Sequence, residues 1–600
     1  MTESTLKNRN DIDENYKWDL LPIYENEELW EKDFVFVQES LIKYNDYFGR
    51  LDDSEILIKC LRFDEYLGIK LERLHLYAFL AKDLDLKNTK YQAMEGRIKN
   101  LYSEIMQASA FIRPEILTIP EEKISKFLED NDDLKLYEHF FNDMFRLKKH
   151  SLDNETEKLL ASASPALSAS HEVFSLLKNA DMKYPSVKDE DGQDVEITEG
   201  LFYSALYSTD RNFRKRVYYN YYKPYKTFEN TLSALFNGNL KAQIFSSRSR
   251  KYGSSRESAL ASNNIPLSVY DNLVDTAKDN SGVLQRWVEI KKRVLNLKEI
   301  HPYDMYVTLF PNEFKTYSYD EGVDLVRQAL RPMGDEYMEA LDLAFENRRV
   351  DVYETENKRS GAYSSGVTYG VNPFVLLNWT DTLNDVSTLA HEMGHNMHSY
   401  FTGKNQKPVY AGYSIFLAEV ASITNENLLH DYLMSKAETK EEKLSLIEMY
   451  LNKIVSTFFR QTQFAEFEME VYQRTENGES LTPDVLCQLY SDIFKNYYGE
   501  SVVCDEEETY TWSRVPHFYY GFYVYQYATG LAAAEVLSAQ IKSEGMAGAG
   551  KMMRFLSAGK SDYSINILKN AGVDMSSPEP VIAVTQKMTE LLDELESLLD

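Results

Sequence analysis

Cysteine is scarce in this 600-residue chain. The only thiols belong to Cys60, Cys487 and Cys504, which lie far apart in sequence. Their spacing forms no C-x-x-C site, and three thiols provide no disulfide framework. A disulfide-stabilised secreted scaffold is therefore excluded, and the composition favours a reducing compartment.

Long apolar runs are also missing. No segment approaches the roughly 20 consecutive apolar residues that a membrane-spanning helix needs. The chain starts with polar residues, Met-Thr-Glu-Ser-Thr-Leu-Lys-Asn-Arg-Asn, without the apolar region of a signal peptide. Internal repeats and low-complexity runs are absent as well. The sequence therefore predicts a soluble, cytoplasmic protein.

Positive charge is in short supply. The chain has 66 lysines and arginines against 95 aspartates and glutamates, a formal net charge of −29. Nucleic acid and anionic membrane would be repelled, so neither is expected as a partner. Neutral or basic peptides are compatible with this charge, although solubility alone would also account for it.

What the sequence does contain is helical periodicity over most of its length. Hydrophobic residues make up 43% of the chain, with 43 tyrosines and 30 phenylalanines. Apolar residues recur at helical spacing from about residue 26 to residue 129 and again after residue 201. Two stretches indicate β-structure instead: 184–197, a hairpin around an Asp-Gly turn, and 350–379. We therefore predict a mainly α protein with small sheets.

Residues 383–401 contain an H-E-x-x-H pattern, His391-Glu392-Met393-Gly394-His395. Apolar residues recur beside it at helical spacing: Val386, Leu389, Ala390, Met393, Met397 and Tyr400. Thr382 or Asn384 can cap the start, and Gly403 is expected just beyond the end. The pattern predicts a helix with a buried stripe, and the two histidines lie beside that stripe.

The spacing of the two histidines suits a single metal ion. His391 and His395 are about 6 Å apart along the helix axis and lie on nearly the same face. Both imidazoles can then reach one ion at Zn–N distances of about 2.0–2.1 Å. Glu392 is rotated aside, where its carboxylate can meet a metal-bound water rather than the metal. An exposed helix face with two solvated histidines would show the same short motif, so the surrounding sequence matters.

The next predicted helix offers two candidates for a third ligand. A catalytic zinc keeps three protein ligands and one open position. Residues 413–430 are strongly apolar but carry Glu419 and Glu426, and a carboxylate there is costly to bury unless it is paired or metal-bound. These two residues are seven apart and share a helix face. One could bind the ion and the other could hold a ligating histidine from behind, and the spacing does not say which.

A third histidine, His398, shares the face of His391 and His395. It lies about 10 Å of helix rise from His391, so a straight helix cannot bring all three to one ion. We therefore predict a packed or substrate-side histidine.

Glycines interrupt the second β-like stretch just before the motif helix. Residues 361–370 read Gly-Ala-Tyr-Ser-Ser-Gly-Val-Thr-Tyr-Gly and give way to the apolar segment 373–379. They could form a sheet edge to which a peptide adds as a strand, or an ordinary short sheet that covers the helix. The residues themselves leave both interpretations open.

The chain resembles oligoendopeptidase F, within the thimet-oligopeptidase group of zinc metallopeptidases, over nearly its whole length. The resemblance is carried by Trp18-Asp19-Leu20, by Gly361-Ala362-Tyr363, by the ten residues from His391 to Tyr400, by the Phe-Leu-Ala-Glu-Val-Ala-Ser segment from Phe416, by the Trp-Ser-Arg-Val-Pro-His-Phe-Tyr segment from Trp512, and by the Phe-Tyr-Val-Tyr-Gln-Tyr-Ala-Thr-Gly segment from Phe522. Together these segments are highly specific.

The resemblance implies a role for each candidate residue at the metal. It implies that Glu419 is the third ligand beside His391 and His395 and that Glu426 supports a ligand from behind. Glu392 would take a proton from water as general base and pass it to the leaving amine.

The resemblance also implies which residues face the substrate. His517 and a tyrosine of residues 522–527 would do so, and matching to the wider family places Tyr525 at its transition-state tyrosine. The segment between these two residues is shorter here than in the animal members, so the match of Tyr519 and Tyr520 to a second family tyrosine stays open. The residues expected to hold the peptide backbone as an added strand are Gly361, Ala362 and Tyr363.

The fold implied by the resemblance is mostly helical, with two lobes that enclose a deep channel and a small sheet beside the active-site helix. Access through the channel would limit substrates to short peptides. Along the chain we expect an N-terminal helical region (1–110), a helical region ending in a β-hairpin (111–200) and a catalytic zinc-peptidase domain (201–600).

The expected function is that of a zinc-dependent endopeptidase that hydrolyses internal bonds of short oligopeptides, with a zinc-activated water as nucleophile and one zinc ion per chain. Cobalt or manganese would fit the same ligands. One alternative is a metallocarboxypeptidase, which needs a cationic group for the terminal carboxylate, and the sequence identifies none. The other is a non-catalytic peptide-binding protein, against which the intact His-Glu-His-Glu set argues. A monomer is the default expectation.

Overall fold

The computed structural model describes residues 8–311 and 315–600. The expectation about a signal peptide concerns mainly residues 1–7, which lie outside the described part. Two compact units make up the chain. The first is Met1–Ser151, Lys315–Tyr432 and Leu537–Gly572, and the second is Leu152–Phe314, Leu433–Val536 and Val573–Asp600. The division of the chain at residues 110 and 200 stays a prediction.

Helices dominate the described residues, which confirms the predicted mainly α class. Up to residue 300 they are α1 (Glu27–Ser40), α2 (Ser54–Asp83), α3 (Thr89–Ser109), α4 (Ile112–Thr118), α5 (Glu121–Asp130), α6 (Asp132–Lys135), α7 (Glu138–Arg146), α8 (Asn154–Leu176), α9 (Glu199–Leu206), α10 (Arg211–Thr227), α11 (Glu229–Ser249), α12 (Ser255–Ala261), α13 (Leu267–Asp279) and α14 (Gly282–Val294). The later ones are α15 (Tyr319–Leu330), α16 (Asp335–Glu346), α17 (Leu383–Asn405), α18 (Ile415–Lys436), α19 (Lys440–Lys453), α20 (Arg460–Glu476), α21 (Pro483–Tyr498), α22 (Tyr525–Glu544), α23 (Met546–Ala558), α24 (Ser564–Asn570) and α25 (Glu579–Leu599). Among the described residues, none of these helices combines the length and the apolar character that crossing a bilayer would require.

The N-terminal helices of the first unit begin at side-chain caps. Asn26, Asp53 and Asn88 each accept backbone N–H groups of the first turn of α1, α2 and α3. Such caps satisfy N–H groups that have no partner within the helix. The helices bury an apolar core in which the Trp30 indole N–H donates to the Leu74 carbonyl oxygen at 3.0 Å.

A three-stranded sheet belongs to the same unit. Its strands are β3 (Val350–Tyr353), β4 (Tyr363–Ser364) and β5 (Val375–Trp379), in the order β3-β5-β4. β3 runs parallel to β5, and β4 runs antiparallel to it with Ser364 opposite Val375. β4 is therefore an edge strand, and both β4 and β5 contact helix α17. The predicted sheet beside the motif helix is confirmed.

The second unit contains the predicted hairpin and an aromatic core. Strands β1 (Ser186–Lys188) and β2 (Asp194–Glu196) pair antiparallel across the Asp-Gly turn. Helix α10 carries four tyrosines that are at most 2% exposed: Tyr218, Tyr221, Tyr222 and Tyr225. These aromatic side chains therefore pack in the interior.

One helix boundary was predicted wrongly. Gly403 was expected just beyond the motif helix, but α17 continues through it to Asn405. A β-carbon at Gly403 would meet only Val367 Cγ1, at 3.8 Å, so the site neither requires a glycine nor forces a turn. The helix ends instead where Gln406 adopts an extended conformation.

Candidate metal centre

Helix α17 begins at a capping box that fixes its first turn. Thr382 Oγ1 accepts the Asp385 N–H at 3.2 Å, and Asp385 Oδ2 accepts the Thr382 N–H at 2.9 Å. Of the two predicted caps, Thr382 is the one used. The predicted apolar stripe is buried, with Val386, Leu389 and Met393 at 0% exposure. This burial fixes the rotation of the helix and therefore the direction of its two motif histidines.

Three side chains from α17 and α18 converge on one point. The Nε2 atoms of His391 and His395 are 3.2 Å apart. Glu419 Oε2 lies 3.5 Å from the first and 3.6 Å from the second. Three donors held about 2.0–2.2 Å from a tetrahedral ion would be about 3.3–3.6 Å from one another. The donor set and its spacing therefore fit a divalent ion such as zinc, and among the described residues this is the only such group of three.

A glycine lets the two ligand-bearing helices approach closely. A β-carbon at Gly394 would lie 2.5 Å from the Ser422 Cα and 2.7 Å from the Ala421 carbonyl oxygen. Backbone atoms cannot yield as a flexible side chain can. Gly394 therefore sets the distance between α17 and α18 where the two helices cross. On α18 the crossing point is at Ser422, three residues after Glu419.

Gly394→Ala should consequently push the helices apart. We expect a loss of about 1–3 kcal/mol in unfolding free energy, typical of overpacking, together with weaker metal binding. Gly403→Ala in the same helix is the matched control, because its β-carbon has ordinary contacts and alanine favours helix. Denaturant unfolding and metal content measure both effects. Equal stability of the two variants would contradict this account of the helix crossing.

Glu426 lies behind His391. Its Oε1 is 2.6 Å from His391 Nδ1, so the ring can donate there while Nε2 faces the convergence point. Burial alone would lower the pKa of His391, but the hydrogen bond and charge of Glu426 outweigh it and raise the pKa. Burial, followed by the charge of His391, lowers the pKa of His395 to about 4. Glu426 thus fixes the tautomer and orientation of one imidazole.

Glu392 lies beside the convergence point and is 7% exposed. Burial raises the pKa of Glu392 to about 7, and the neighbouring charge of His391 partly opposes this. The Ser364 backbone N–H donates a hydrogen bond to it. A carboxyl group that titrates near neutrality is suited to general base catalysis, and the hydrogen bond joins it to edge strand β4.

His398 is packed in the interior, which decides between its two predicted locations. Its ring stacks on Tyr413 at a centroid distance of 3.7 Å and contacts the Phe555 ring at 4.9 Å. The side chain is 1% exposed, and burial lowers its pKa to about 3. A neutral, enclosed imidazole of this kind contributes packing.

Residues 361–363, which lead into and begin β4, are anchored at both ends. The Tyr363 hydroxyl donates to Asp83 at 2.9 Å, and the Asn378 side-chain amide donates to the Gly361 carbonyl oxygen at 2.7 Å. A cavity of about 670 Å³ lies along this segment, and Ala362 and Tyr363 are among its lining residues. The three predicted backbone-binding residues are thus held on a rigid edge next to Glu392.

The predicted substrate-facing residues of the C-terminal part lie in the second unit. His517 is partly exposed, and burial together with the charge of Lys178 lowers its pKa. Tyr525 is 3% exposed, and its ring centroid lies 5.0 Å from that of Tyr270. Burial raises the pKa of Tyr525 above its usual range. Its hydroxyl is therefore protonated at neutral pH and able to donate a hydrogen bond.

The structure adds two tyrosines that the sequence reasoning did not single out. The rings of Tyr523 and Tyr527 lie 5.8 Å and 6.1 Å from His517, and both side chains are partly exposed. In the sequence these two tyrosines alternate with Tyr525, which could have marked them as candidates. The alternation does not show which of the three rings are exposed.

The structure also distinguishes Tyr519 from Tyr520 by the exposure of their side chains. Tyr519 is 6% exposed and stacks on Phe174 at 4.3 Å, whereas Tyr520 is 53% exposed. Of the two, Tyr520 is the one whose ring is free to contact a ligand.

The fold and the convergent His-His-Glu group together define a mainly helical metallopeptidase. This chain belongs to peptidase family M3, whose sequence profile matches residues 204–586. A second profile, described as Oligopeptidase F, matches residues 115–184. The resemblance seen in the sequence is confirmed.

Relatives and solved structures agree with this assignment. Oligopeptidase PepF of Bacillus subtilis (strain 168) is 43% identical over 595 residues, covering 99% of this chain and 89% of the relative. Group B oligopeptidase PepB of Streptococcus agalactiae is 39% identical over 593 residues, covering 99% of this chain and 98% of the relative. The crystal structure of oligoendopeptidase-F from Enterococcus faecium has a TM-score of 0.75 at 32% identity, covering 96% of this chain and 99% of that one.

Proposed function

We propose that this protein is a zinc-dependent endopeptidase that cleaves internal bonds of short oligopeptides. The observation that carries the proposal is the convergence of His391, His395 and Glu419 at donor spacings that suit one tetrahedral ion. The names of the relatives, which are oligopeptidases and an oligoendopeptidase, support the substrate class.

The proposed ligands are His391, His395 and Glu419, with Glu426 holding the first of them. Zinc in a site of this kind supplies a Lewis acid that polarises the scissile carbonyl and acidifies water. The family implies a metal, and two imidazoles with one carboxylate are a donor set that zinc favours.

Glu392 is the proposed general base. Its carboxylate takes a proton from the attacking water while the water oxygen bonds to the carbonyl carbon. The same carboxyl group then gives that proton to the amine nitrogen as the C–N bond breaks. The Ser364 N–H, which donates to this carboxyl group, would help to orient it.

Edge strand β4 and the segment before it are proposed to bind the peptide backbone. An edge strand presents unpaired N–H and C=O groups to an added strand. Gly361, Ala362 and Tyr363 would contribute this surface, with the Asp83 hydrogen bond holding Tyr363 in place. A peptide bound as a strand would be extended, which favours flexible oligopeptides over folded proteins.

His517 and Tyr525 are proposed to donate hydrogen bonds to the substrate at the reacting carbonyl, with Tyr520 as a further contact. A donor placed where charge develops typically contributes about 2.7–4 kcal/mol to the barrier. The protonated state of the Tyr525 hydroxyl supports its part in this role.

The tyrosine role can be tested with three single variants. Tyr525→Phe should lower kcat about 100- to 1,000-fold at unchanged zinc content, because it removes one donor to the transition state. Tyr523→Phe and Tyr527→Phe are the matched comparisons from the same segment, with expected changes of only a few-fold. Steady-state kinetics on a quenched peptide gives the result. A large loss in Tyr527→Phe with none in Tyr525→Phe would transfer the role to the partly exposed ring.

Product analysis tests the reaction itself. The zinc-loaded protein is incubated with a short peptide, and the fragments are identified by mass spectrometry. Internal cuts that stop on adding a chelator support the proposal. Removal of single C-terminal residues would mean a carboxypeptidase, and binding without cleavage would mean a peptide-binding protein. The cytoplasmic location and the monomeric state stay predictions.

A further inference from the structure

The backbone between His517 and Tyr525 adopts a conformation that side chains rarely allow. Gly521 and Phe522 follow one another with φ of +65° and +52°. A positive φ is unfavourable for a residue with a β-carbon such as phenylalanine. At position 521 a β-carbon would lie 2.0 Å from Gln243 Oε1, so a larger residue would displace that side chain. Groups outside the segment must therefore hold this turn.

A buried carboxyl group on helix α20 provides the first set of hydrogen bonds to this turn. Glu468 is 0% exposed, and its Oε1 accepts the Phe522 N–H at 2.9 Å. The Val524 N–H donates to the same side chain. Burial raises the pKa of Glu468 to about 8. A buried carboxyl group is costly, but these two N–H groups would otherwise lack acceptors in the interior.

A second set of contacts comes from Tyr472, one turn further along α20. The Tyr472 hydroxyl donates to Gln243 Oε1 at 2.7 Å, and Gln243 Nε2 donates to the Tyr519 carbonyl oxygen at 3.0 Å. The Tyr472 ring also packs on Phe522 at a centroid distance of 4.6 Å. The face of α20 that carries Glu468 and Tyr472 therefore fixes the segment at both of its ends.

We propose that Glu468 is a positioning residue for the peptidase reaction. It holds the turn 519–524, and through that turn it places the His517 ring where it meets the substrate. The His517 ring lies 5.9 Å from that of Tyr520 and 5.8 Å from that of Tyr523, so displacement of the turn moves several rings together. The inference rests on the proposed function, in which His517 donates to the substrate. Glu468 itself touches no substrate.

Two replacements of Glu468 test whether its hydrogen bonds position the turn. Glu468→Ala removes the oxygen that accepts the Phe522 N–H and should lower kcat about 10- to 100-fold with little change in KM, as expected when catalytic groups are misplaced by about 1 Å. Glu468→Gln keeps a carbonyl oxygen in a neutral group of the same shape and should restore kcat to near the wild-type value. A kcat of Glu468→Ala equal to that of the wild type, in folded and zinc-loaded protein, overturns the proposal.

A double variant tests whether Glu468 acts through His517. In the His517→Ala background the positioned group is gone, so Glu468→Ala should have little further effect on kcat. If the two kcat effects multiply independently, Glu468 does not act by placing this histidine and the proposal fails.

Glu448 on α19 supplies a matched control in the same unit. It is 2% exposed, and its carboxylate accepts the N–H groups of Leu309 and Phe310, in a loop outside the catalytic machinery. Glu448→Ala should lower the unfolding temperature and leave kcat unchanged. An equal loss of kcat in this control would reduce the role of Glu468 to general stability. Should Glu468→Ala fail to fold, Gly521→Ala strains the same turn from the opposite side and carries the same expectation.

Failure of this inference is distinguishable from failure of the proposed function. A wild-type chain that cleaves no peptide overturns both. A wild-type chain that cleaves peptides, with Glu468→Ala equally active, overturns the positioning role alone.

Discussion

Glu392→Gln should abolish most of the peptidase activity while the metal stays bound. Glutamine has nearly the same shape as glutamate but cannot take a proton from water. General base catalysis typically contributes about 100- to 10,000-fold, so we expect kcat to fall by that factor. Zinc content should remain near one ion per chain, because Glu392 is not among the three converging donors. Steady-state kinetics and metal analysis on the same preparation measure both quantities.

The control for Glu392→Gln is its hydrogen-bond partner. Ser364 offers only its backbone N–H to Glu392, so Ser364→Ala keeps that hydrogen bond and should retain activity within a few-fold. A fully zinc-loaded Glu392→Gln protein with near wild-type turnover would remove Glu392 from the chemistry. The general base would then have to be sought elsewhere in the site.

Glu419→Gln should lose the metal itself. The carboxylate is the one charged donor at the convergence point, 3.5 Å and 3.6 Å from the two imidazole nitrogens. An amide is a much weaker ligand for zinc, and two imidazoles alone rarely retain it. We therefore expect zinc affinity to fall by more than about 100-fold, above the range for losing an outer partner of a ligand. Peptidase activity should disappear at submicromolar free zinc.

Glu426→Gln is the matched comparison on the same helix. It weakens the hydrogen bond to His391 Nδ1 without removing a ligand, so zinc affinity should fall only about 10- to 100-fold. Competition with a chromophoric chelator measures both affinities on one scale. If Glu426→Gln proves the more severe of the two, the assignment of ligand and supporting carboxylate is reversed.

Local patterns predicted the metal helix well because its determinants are local. The apolar stripe, the Thr382 cap and the spacing of His391 and His395 all lie within one continuous segment, and helical periodicity fixes their relative directions. The hairpin at 184–197 was predicted for the same reason, since an Asp-Gly turn sets its own geometry.

Local sequence patterns did not predict helix boundaries and side-chain exposures that depend on non-local packing. Proline usually ends or kinks a helix, yet α8 passes through Pro165. Gly403 was expected after the end of α17 and lies inside it. The tyrosines of 523–527 alternate in sequence, but their exposure depends on which rings the rest of the second unit covers. The position of a tyrosine along the chain does not show whether other residues of the unit bury its ring.

The sequence by itself predicted the parts of a metal site: two imidazoles on adjacent turns of one helix, followed by an apolar helix with two carboxylates. Only the tertiary structure decided that Glu419 reaches those imidazoles while Glu426 lies behind one of them. Both carboxylates share a helix face, so their spacing alone could not separate them. The choice follows from the point at which α18 crosses α17, where Gly394 brings the two backbones together beside Ser422.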